Sequence, residues 1–192
     1  ITGWGETFGL IAKAAMAVCE AMGEGIKGEN PTRIEHLWQR LYRGHRDMRG
    51  GPFMTNVLSG IDQALWDIAG KAWGVPVYRL LGGPTRDRIR LYPSATSHKI
   101  GPGGPREFAA TPQTVKGYVD HVKQVRERLG PNGAIMLDAH CAMPPAFLIQ
   151  LANALEPQDV LFIEEPAVPG NIEVFKRLKA AIKIPLATGE RD

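Results

Sequence analysis

Three short apolar runs in the second half of the chain are each followed by a carboxylate. They are 134–137 before Asp138, 161–163 before Glu164, and 184–187 shortly before Glu190. Apolar runs of this length, bounded by turn residues, are typical of strands buried on both faces. The carboxylates recur at a constant interval, since 164 − 138 = 26 and 190 − 164 = 26. The pattern predicts one structural unit repeated along the chain.

Helical patterns separate the three predicted strands. Pro145–Leu155 and Asn171–Ile182 both carry apolar residues at the i, i+3, i+4, i+7 spacing of a helix that faces a core. Strands that alternate with helices predict a parallel sheet built from βα units. The repeat places the three carboxylates at the C-terminal ends of neighbouring strands, where a (β/α)₈ barrel carries its active site.

Three carboxylates that converge repel one another, and at least one would take up a proton unless a cation lies between them. Oxygen ligands of this kind favour Mg²⁺ or Mn²⁺ over zinc or copper. The repeat therefore predicts a metal site formed by Asp138, Glu164 and Glu190. The structural alternative is that each acidic residue only stabilises the start of the next helix.

Two neighbours of the predicted ligands need interpretation. Side chains alternate along a strand, so only one of Glu164 and Glu165 points into the barrel, and the equal spacing favours Glu164. Glu165 would then point aside, into an ion pair.

His140 lies two positions after Asp138, which puts both on the same side of an extended segment. It could be a ligand, a proton donor or a satisfied polar residue, and we favour the proton donor.

The first half of the chain is richer in helical patterns. We expect a strand over 1–6, helices over 10–22, 32–42, 54–73 and 111–129, and the first barrel strand over 88–95. Gly60 in the middle of the third helix costs about 1 kcal/mol against alanine, so we expect close packing there. These elements predict two domains, 1–87 and 88–192.

Composition narrows the function classes. Of 192 residues, 44% are hydrophobic and 22% charged, the net charge is +3, and no basic run suggests nucleic acid binding. No apolar run is long enough to span a membrane. Cys19 and Cys141 lie far apart, which predicts reduced thiols in a cytoplasmic protein. Because a closed barrel needs roughly 250 residues, we expect the chain to be part of a longer protein.

Several motifs resemble the enolase superfamily, in its mandelate racemase and muconate lactonizing enzyme branch. Ser59–Ile68, followed by Gly70-Lys71 and Gly74–Val77, is similar to the signature helix of that branch, and Leu80–Gly83 continues it. Ile163–Pro166 and Thr188–Arg191 resemble its second and third metal-ligand strands. The resemblance covers nearly the whole chain.

The resemblance implies an α+β capping domain followed by a modified (β/α) TIM-type barrel, incomplete in this chain. It implies one Mg²⁺ ion on Asp138, Glu164 and Glu190, and removal of the proton α to a carboxylate. Asp138-Ala139-His140 is similar to the galactonate-type sugar-acid dehydratases, in which the histidine gives a proton to the departing 3-hydroxyl. The implied partners are a sugar-acid substrate and further copies of the chain in a homo-oligomer, with no nucleic acid and no membrane.

The chain also departs from the family pattern. Racemases of the family tend to use Lys-x-Lys on the strand before the first ligand, and this motif is absent here. A helix and a strand expected before Asp138 are missing, so either the fold is shortened or those residues are absent from the sequence. The general base is therefore unassigned, and His98 and Lys99 are more consistent with loop roles. A racemase or epimerase on the same metal site, or a non-catalytic sugar-acid-binding barrel, stays open as an alternative.

Overall fold

The computed structural model describes residues 1–7, 11–45, 50–92 and 111–189. The chain divides into two compact units, Ile1–Leu91 and Tyr92–Asp192. The boundary that we predict from the sequence, after residue 87, lies four residues before this division and stays a prediction.

In the N-terminal unit the described residues form four helices. They are α1 (Ala12–Glu24), α2 (Ile34–Gly44), α3 (Pro52–Trp73) and the short α4 (Val77–Leu80). Helix α3 is central, because Leu58 packs with α1 in one apolar cluster and Leu65 packs with α2 in a second. The three long helices agree with the sequence predictions to within about two residues at each end.

The strand predicted for Ile1–Glu6 is wrong, since none of these described residues forms a strand. The backbone of this segment is hydrogen bonded to side chains of α3 that are spaced four residues apart, where a strand would be bonded to a neighbouring strand. The bonds are Trp4 N–H to Asp67 Oδ2 (2.8 Å), Glu6 N–H to Gln63 Oε1 (3.2 Å), Gln63 Nε2–H to Glu6 O (3.2 Å) and Lys71 Nζ–H to Thr2 O (2.9 Å). The segment therefore lies along one face of a helix.

Asp67 accepts hydrogen bonds both from the N-terminal segment and from its own helix. Its Oδ2 atom accepts from Lys71 Nζ at 2.6 Å as well as from the amide of Trp4. The hydrogen bond from Lys71, and then that from Trp4, lower the pKa of the Asp67 carboxyl below its ordinary value. Asp67 is therefore ionised at neutral pH. Polar residues of the motif Ser59–Lys71 thus have a structural role, because they hold the N-terminal segment against α3.

Two glycines allow the segment to approach α3 closely. A Cβ atom on Gly5 would lie 1.9 Å from the carbonyl oxygen of Gly60, and one on Gly3 would lie 2.1 Å from that of Ala64. A Cβ on Gly60 would in turn lie 3.3 Å from the backbone of Glu6. The close packing expected at Gly60 is thus present.

We predict that Gly5→Ala lowers the free energy of unfolding by about 1–3 kcal/mol, because backbone atoms rather than a movable side chain block the new methyl group. Denaturant unfolding of the purified chain would measure the change. Gly23→Ala on α1 is the matched control, since no atom beyond its chain neighbours and the backbone of its own helix lies within 4 Å of the new methyl group. Equal stability of the two variants would show that the segment does not pack on α3.

The C-terminal unit alternates helices and strands. Its described residues form α5 (Pro112–Leu129), β1 (Ile135–Asp138), α6 (Pro145–Leu155), a 3₁₀ turn (Glu156–Gln158), β2 (Val160–Glu164), α7 (Ile172–Ala181) and β3 (Leu186–Ala187). The strands form a parallel sheet in the order β1-β2-β3. This is the βα repeat that the hydrophobic pattern predicts, and α6 has the predicted bounds.

The core of this unit lies between the sheet and its helices. Its fully buried residues include Phe147, Leu148 and Leu155 from α6, Leu178 from α7 and Ile163 from β2. Leu161 on β2 is 51% exposed. The expectation that the strands are buried on both faces is therefore wrong at this position, where β2 carries one residue more than β1 between the pairs Ile135–Val160 and Met136–Phe162.

Helix α5 is tied to the start of both neighbouring strands. Thr111 begins it with a capping box, in which the side chains and amides of Thr111 and Thr114 bond reciprocally. Near its end, the guanidinium of Arg126 donates to the carbonyl oxygens of Gly130 (3.1 Å) and Gln158 (2.9 Å). These bonds fix the loop before β1 and the turn before β2, so they help to align the two strands.

The region before α5 differs from the prediction in its described part. No strand forms over 88–92, and the rest of the predicted strand 88–95 lies outside the described residues. Within the described ranges, no helix has both the length and the apolar character needed to cross a membrane.

Candidate functional site

The C-terminal ends of β1 and β2 bring two of the predicted ligands side by side. Asp138 is the last residue of β1 and pairs in register with Glu164, the last residue of β2. Residues paired in a parallel sheet point to the same face. The first 26-residue interval therefore places Asp138 and Glu164 as neighbours.

The second interval does not correspond to the strand register. Glu164 pairs with Ala187 on β3, an offset of 187 − 164 = 23 residues rather than 26. Glu190 follows Ala187 by three positions and lies outside the described residues. Its place as a ligand stays a prediction, and the register gives it no support.

The described part of the site offers two hard-oxygen donors for a cation. Asp138 has 48% of its side chain exposed, and Glu164 is half-buried. Across the described ranges, no three residues of the types His, Cys, Asp and Glu are grouped so that they could hold a metal ion. The carboxylate oxygens of Asp138 and Glu164 are suitable ligands for a hard divalent cation. The predicted site needs Glu190 as its third ligand.

His140 contacts Asp138, but not for the reason that the sequence suggests. The segment is not extended, because His140 has φ +47° and Cys141 has φ +55° in a turn closed by the bond from Ala142 N–H to Ala139 O at 2.9 Å. Two central residues with positive φ define a type I′ turn. The alternation argument is therefore wrong, and the turn folds His140 back on Asp138.

Both oxygens of the Asp138 carboxylate contact the same histidine. The backbone N–H of His140 donates to Oδ1 at 2.8 Å, and ring atom Nδ1 lies 3.2 Å from Oδ2. When Nδ1 carries the proton, it donates to Oδ2 and the other ring nitrogen, Nε2, points away from the carboxylate. Asp138 thus fixes the orientation of an imidazole that is 21% exposed.

The two consecutive glutamates have different environments. Glu164 is half-buried, whereas Glu165 is 1% exposed and has φ +48°. The Glu165 carboxylate accepts from the thiol of Cys141 at 3.1 Å and from the hydroxyl of Thr188 at 3.3 Å. These two contacts join it to neutral groups, and the ion pair that the sequence suggests for Glu165 stays a prediction.

Sequence reasoning misses this group of three side chains. The sequence predicts only that Cys141 is a reduced thiol, and in the structure Cys141 and Cys19 are free cysteines. Thr188 stands out only as part of a family motif. No local pattern signals that they meet, because 188 − 141 = 47 residues separate them and the contact depends on the strand register.

His98 and Lys99, for which the sequence favours loop roles, lie outside the described residues, as does Arg191 of the motif Thr188–Arg191. No general base is assigned to the site.

Comparison with known families gives matches over nearly the whole chain. The family model described as "Mandelate racemase / muconate lactonizing enzyme, N-terminal domain" matches residues 1–82. That described as "Enolase C-terminal domain-like" matches residues 88–192, more than half of the chain. The two matches leave residues 83–87 between them.

Among curated proteins, the chain is similar to D-galactonate dehydratases. It is 38% identical to that of Variovorax paradoxus over 212 residues and 37% identical to that of Klebsiella pneumoniae over 218 residues. Each alignment covers 100% of this chain but 55% of the relative, so the chain spans about half the length of these proteins. Both alignments are longer than the 192 residues here, as expected if the chain lacks a segment that the relatives contain.

Solved structures share the fold. An enolase superfamily member from Salmonella Typhimurium superposes with a TM-score of 0.88 at 27% identity, covering 100% of this chain and 60% of that one. An enolase from Agrobacterium radiobacter with bound Na and L-malate gives a TM-score of 0.81 at 31% identity, covering 99% and 54%. The predicted fold class, a capping domain followed by part of a modified barrel, is confirmed.

Proposed function

The chain belongs to the mandelate racemase and muconate lactonizing enzyme branch of the enolase superfamily, and we propose that the complete protein dehydrates a sugar acid. The proposed substrate is an aldonate such as galactonate, and the product is a 2-keto-3-deoxy acid. One observation carries the proposal: Asp138 and Glu164 are paired at adjacent strand ends, and His140 is held on Asp138, in a chain similar to D-galactonate dehydratases.

We propose that Asp138, Glu164 and Glu190 hold one Mg²⁺ ion. The oxygen chemistry of Asp138 and Glu164 supports this assignment, because Mg²⁺ prefers carboxylate ligands. When bound, the ion would offset the negative charge that develops on the substrate as its C2 proton leaves. The base that accepts this proton is not assigned.

His140 is the proposed general acid. Its Nδ1 atom lies beside the carboxylate of Asp138, and we assign the proton transfer to the other ring nitrogen, Nε2. A proton from Nε2 would pass to the 3-hydroxyl while the C3–O bond breaks, so that water departs and an enol remains. The enol then takes up a proton at C3 and loses the proton of its C2 hydroxyl, which gives the 2-keto-3-deoxy acid. Histidine suits this step because it exchanges protons near neutral pH.

The proposal is tested by incubating the complete protein with a panel of acid sugars and Mg²⁺. We expect at least one aldonate to give a 2-keto acid, detected by a carbonyl reagent, with a product lighter than the substrate by one water. A product of unchanged mass and inverted C2 would identify a racemase or epimerase instead. Calorimetric binding of a sugar acid without any turnover across the panel would identify a non-catalytic binding protein.

A further inference from the structure

Glu165 combines two features that are unfavourable for a glutamate. Its side chain is 1% exposed, although carboxylates are rarely buried, and its backbone has φ +48°, although residues with a Cβ atom seldom adopt positive φ. Both features cost free energy, so the surrounding contacts must maintain them. Such outliers cluster at functional sites, and this one directly follows the predicted ligand Glu164.

The contacts of Glu165 extend to the ends of all three described strands. Its side chain accepts hydrogen bonds from Cys141, beyond β1, and from Thr188, beyond β3. Its backbone makes the same two connections, because the amide of Cys141 donates to Glu165 O at 2.8 Å and the amide of Glu165 donates to Ala187 O at 3.0 Å. One residue thus joins both neighbouring loops through four hydrogen bonds.

These loops carry the groups of the proposed site. Cys141 directly follows His140, in the strained turn that brings His140 to Asp138. Thr188 lies two positions before Glu190 in the sequence. A displacement of the Glu165 carboxylate would therefore loosen the loop that carries His140 and the segment that leads to Glu190.

We propose that Glu165 is a positioning residue, which holds the three strand ends in the arrangement that binds the metal ion and presents His140. The inference rests on the proposed function. Glu165 acts through its neighbours and need not touch the substrate. Residues that orient metal ligands in this way typically change metal affinity or activity by 10–100-fold when they are replaced.

The test compares Glu165→Ala and Glu165→Gln in the complete protein. Alanine removes the side-chain hydrogen bonds from Cys141 and Thr188, so we expect the Mg²⁺ dissociation constant, measured by calorimetry, to rise about 10–100-fold and kcat to fall more than KM changes. Glutamine keeps the size of the side chain and one carbonyl acceptor, so we expect an intermediate value. Thr188→Val removes the hydrogen bond from the Thr188 hydroxyl without changing the residue at 165, so we expect a smaller rise than in Glu165→Ala.

Val122→Ala is the matched control for a simple loss of stability. Val122 is 1% exposed in the core of the same unit, and it belongs to α5 rather than to the strand ends. We expect this variant to melt at a lower temperature with an unchanged Mg²⁺ dissociation constant. If Glu165→Ala melts like the control and binds Mg²⁺ like the wild type, the positioning role is overturned.

Amide hydrogen exchange provides a readout that needs neither metal nor activity. In Glu165→Ala we expect faster exchange at the amides of residues 141 and 165, and unchanged exchange in the middle of α5. Unchanged exchange at residue 141 would overturn the proposal even if activity were lost. If the wild type binds no Mg²⁺ and dehydrates no sugar acid, the proposed function fails, whereas the exchange result still decides whether Glu165 holds the strand ends.

Discussion

Asp138→Asn is expected to lower kcat/KM for the sugar acid by about 10³-fold or more in the complete protein. Asparagine has nearly the same shape, but it lacks the negative charge that a carboxylate contributes to the binding of a divalent ion. A bound metal contributes several kcal/mol to stabilisation of the developing negative charge, and each 1.4 kcal/mol corresponds to a factor of ten in rate. Steady-state rates at saturating Mg²⁺ and calorimetric titration with Mg²⁺ would measure the loss.

The same substitution at Asp120 is the control. Asp120 lies on α5, where Lys116 lowers the pKa of its carboxyl, and α5 carries none of the proposed site residues. We expect Asp120→Asn to keep wild-type turnover, and Glu164→Gln to behave like Asp138→Asn. Circular dichroism would verify that each variant is folded. A folded Asp138→Asn protein with wild-type kcat/KM would contradict the assignment of Asp138 as a ligand.

The elements that the sequence predicts well are those with a local cause. Helix α6 has the predicted bounds because Phe147, Leu148, Leu151 and Leu155 form one apolar stripe, and Pro145 marks its first residue. Helix α7 lies within the predicted range Asn171–Ile182 and begins after Asn171, whose side chain accepts from the amide of Glu173 as an N-cap. In both helices the residues that define the element lie within it.

The elements that the sequence predicts poorly depend on distant partners. The sequence predicts a strand over 1–6, yet the partners of this backbone are side chains of α3, 57 to 69 positions away. No pattern within the segment distinguishes a neighbouring strand from a helix that offers Gln63, Asp67 and Lys71 at four-residue steps. In α3 these three polar residues share one face, which indicates that the face binds a polar partner. Only the fold identifies that partner as the N-terminal segment.

The candidate site follows the same division. The βα repeat is sufficient to place Asp138 beside Glu164, because repeated units put equivalent residues at equivalent strand ends. It is not sufficient for the contact of His140 with Asp138, which depends on a type I′ turn formed without glycine or asparagine at its centre. Residue preferences run against such a turn, as they run against the burial of Glu165.

His140→Asn is expected to separate the two steps of the proposed dehydration. In that mechanism the C2 proton leaves without the help of His140, so exchange of the C2 hydrogen with solvent deuterium should persist in the variant. Dehydration requires a proton for the departing 3-hydroxyl, and its rate should fall by about 10²–10⁴-fold, the usual contribution of a general acid. Proton NMR in D₂O would follow exchange, and keto-acid formation would follow dehydration.

Asparagine is the suitable replacement because of the backbone at residue 140. It tolerates positive φ better than most residues, and its side-chain amide can still donate to Asp138 as Nδ1 does, so the turn should be kept. The amide cannot release a proton near neutral pH, which isolates the acid role. His36→Asn, at an exposed position on α2, should keep both rates. If exchange and dehydration fall together in His140→Asn, the histidine acts before C–O cleavage, as the base or through the metal site, and the proposed proton donor must be sought elsewhere.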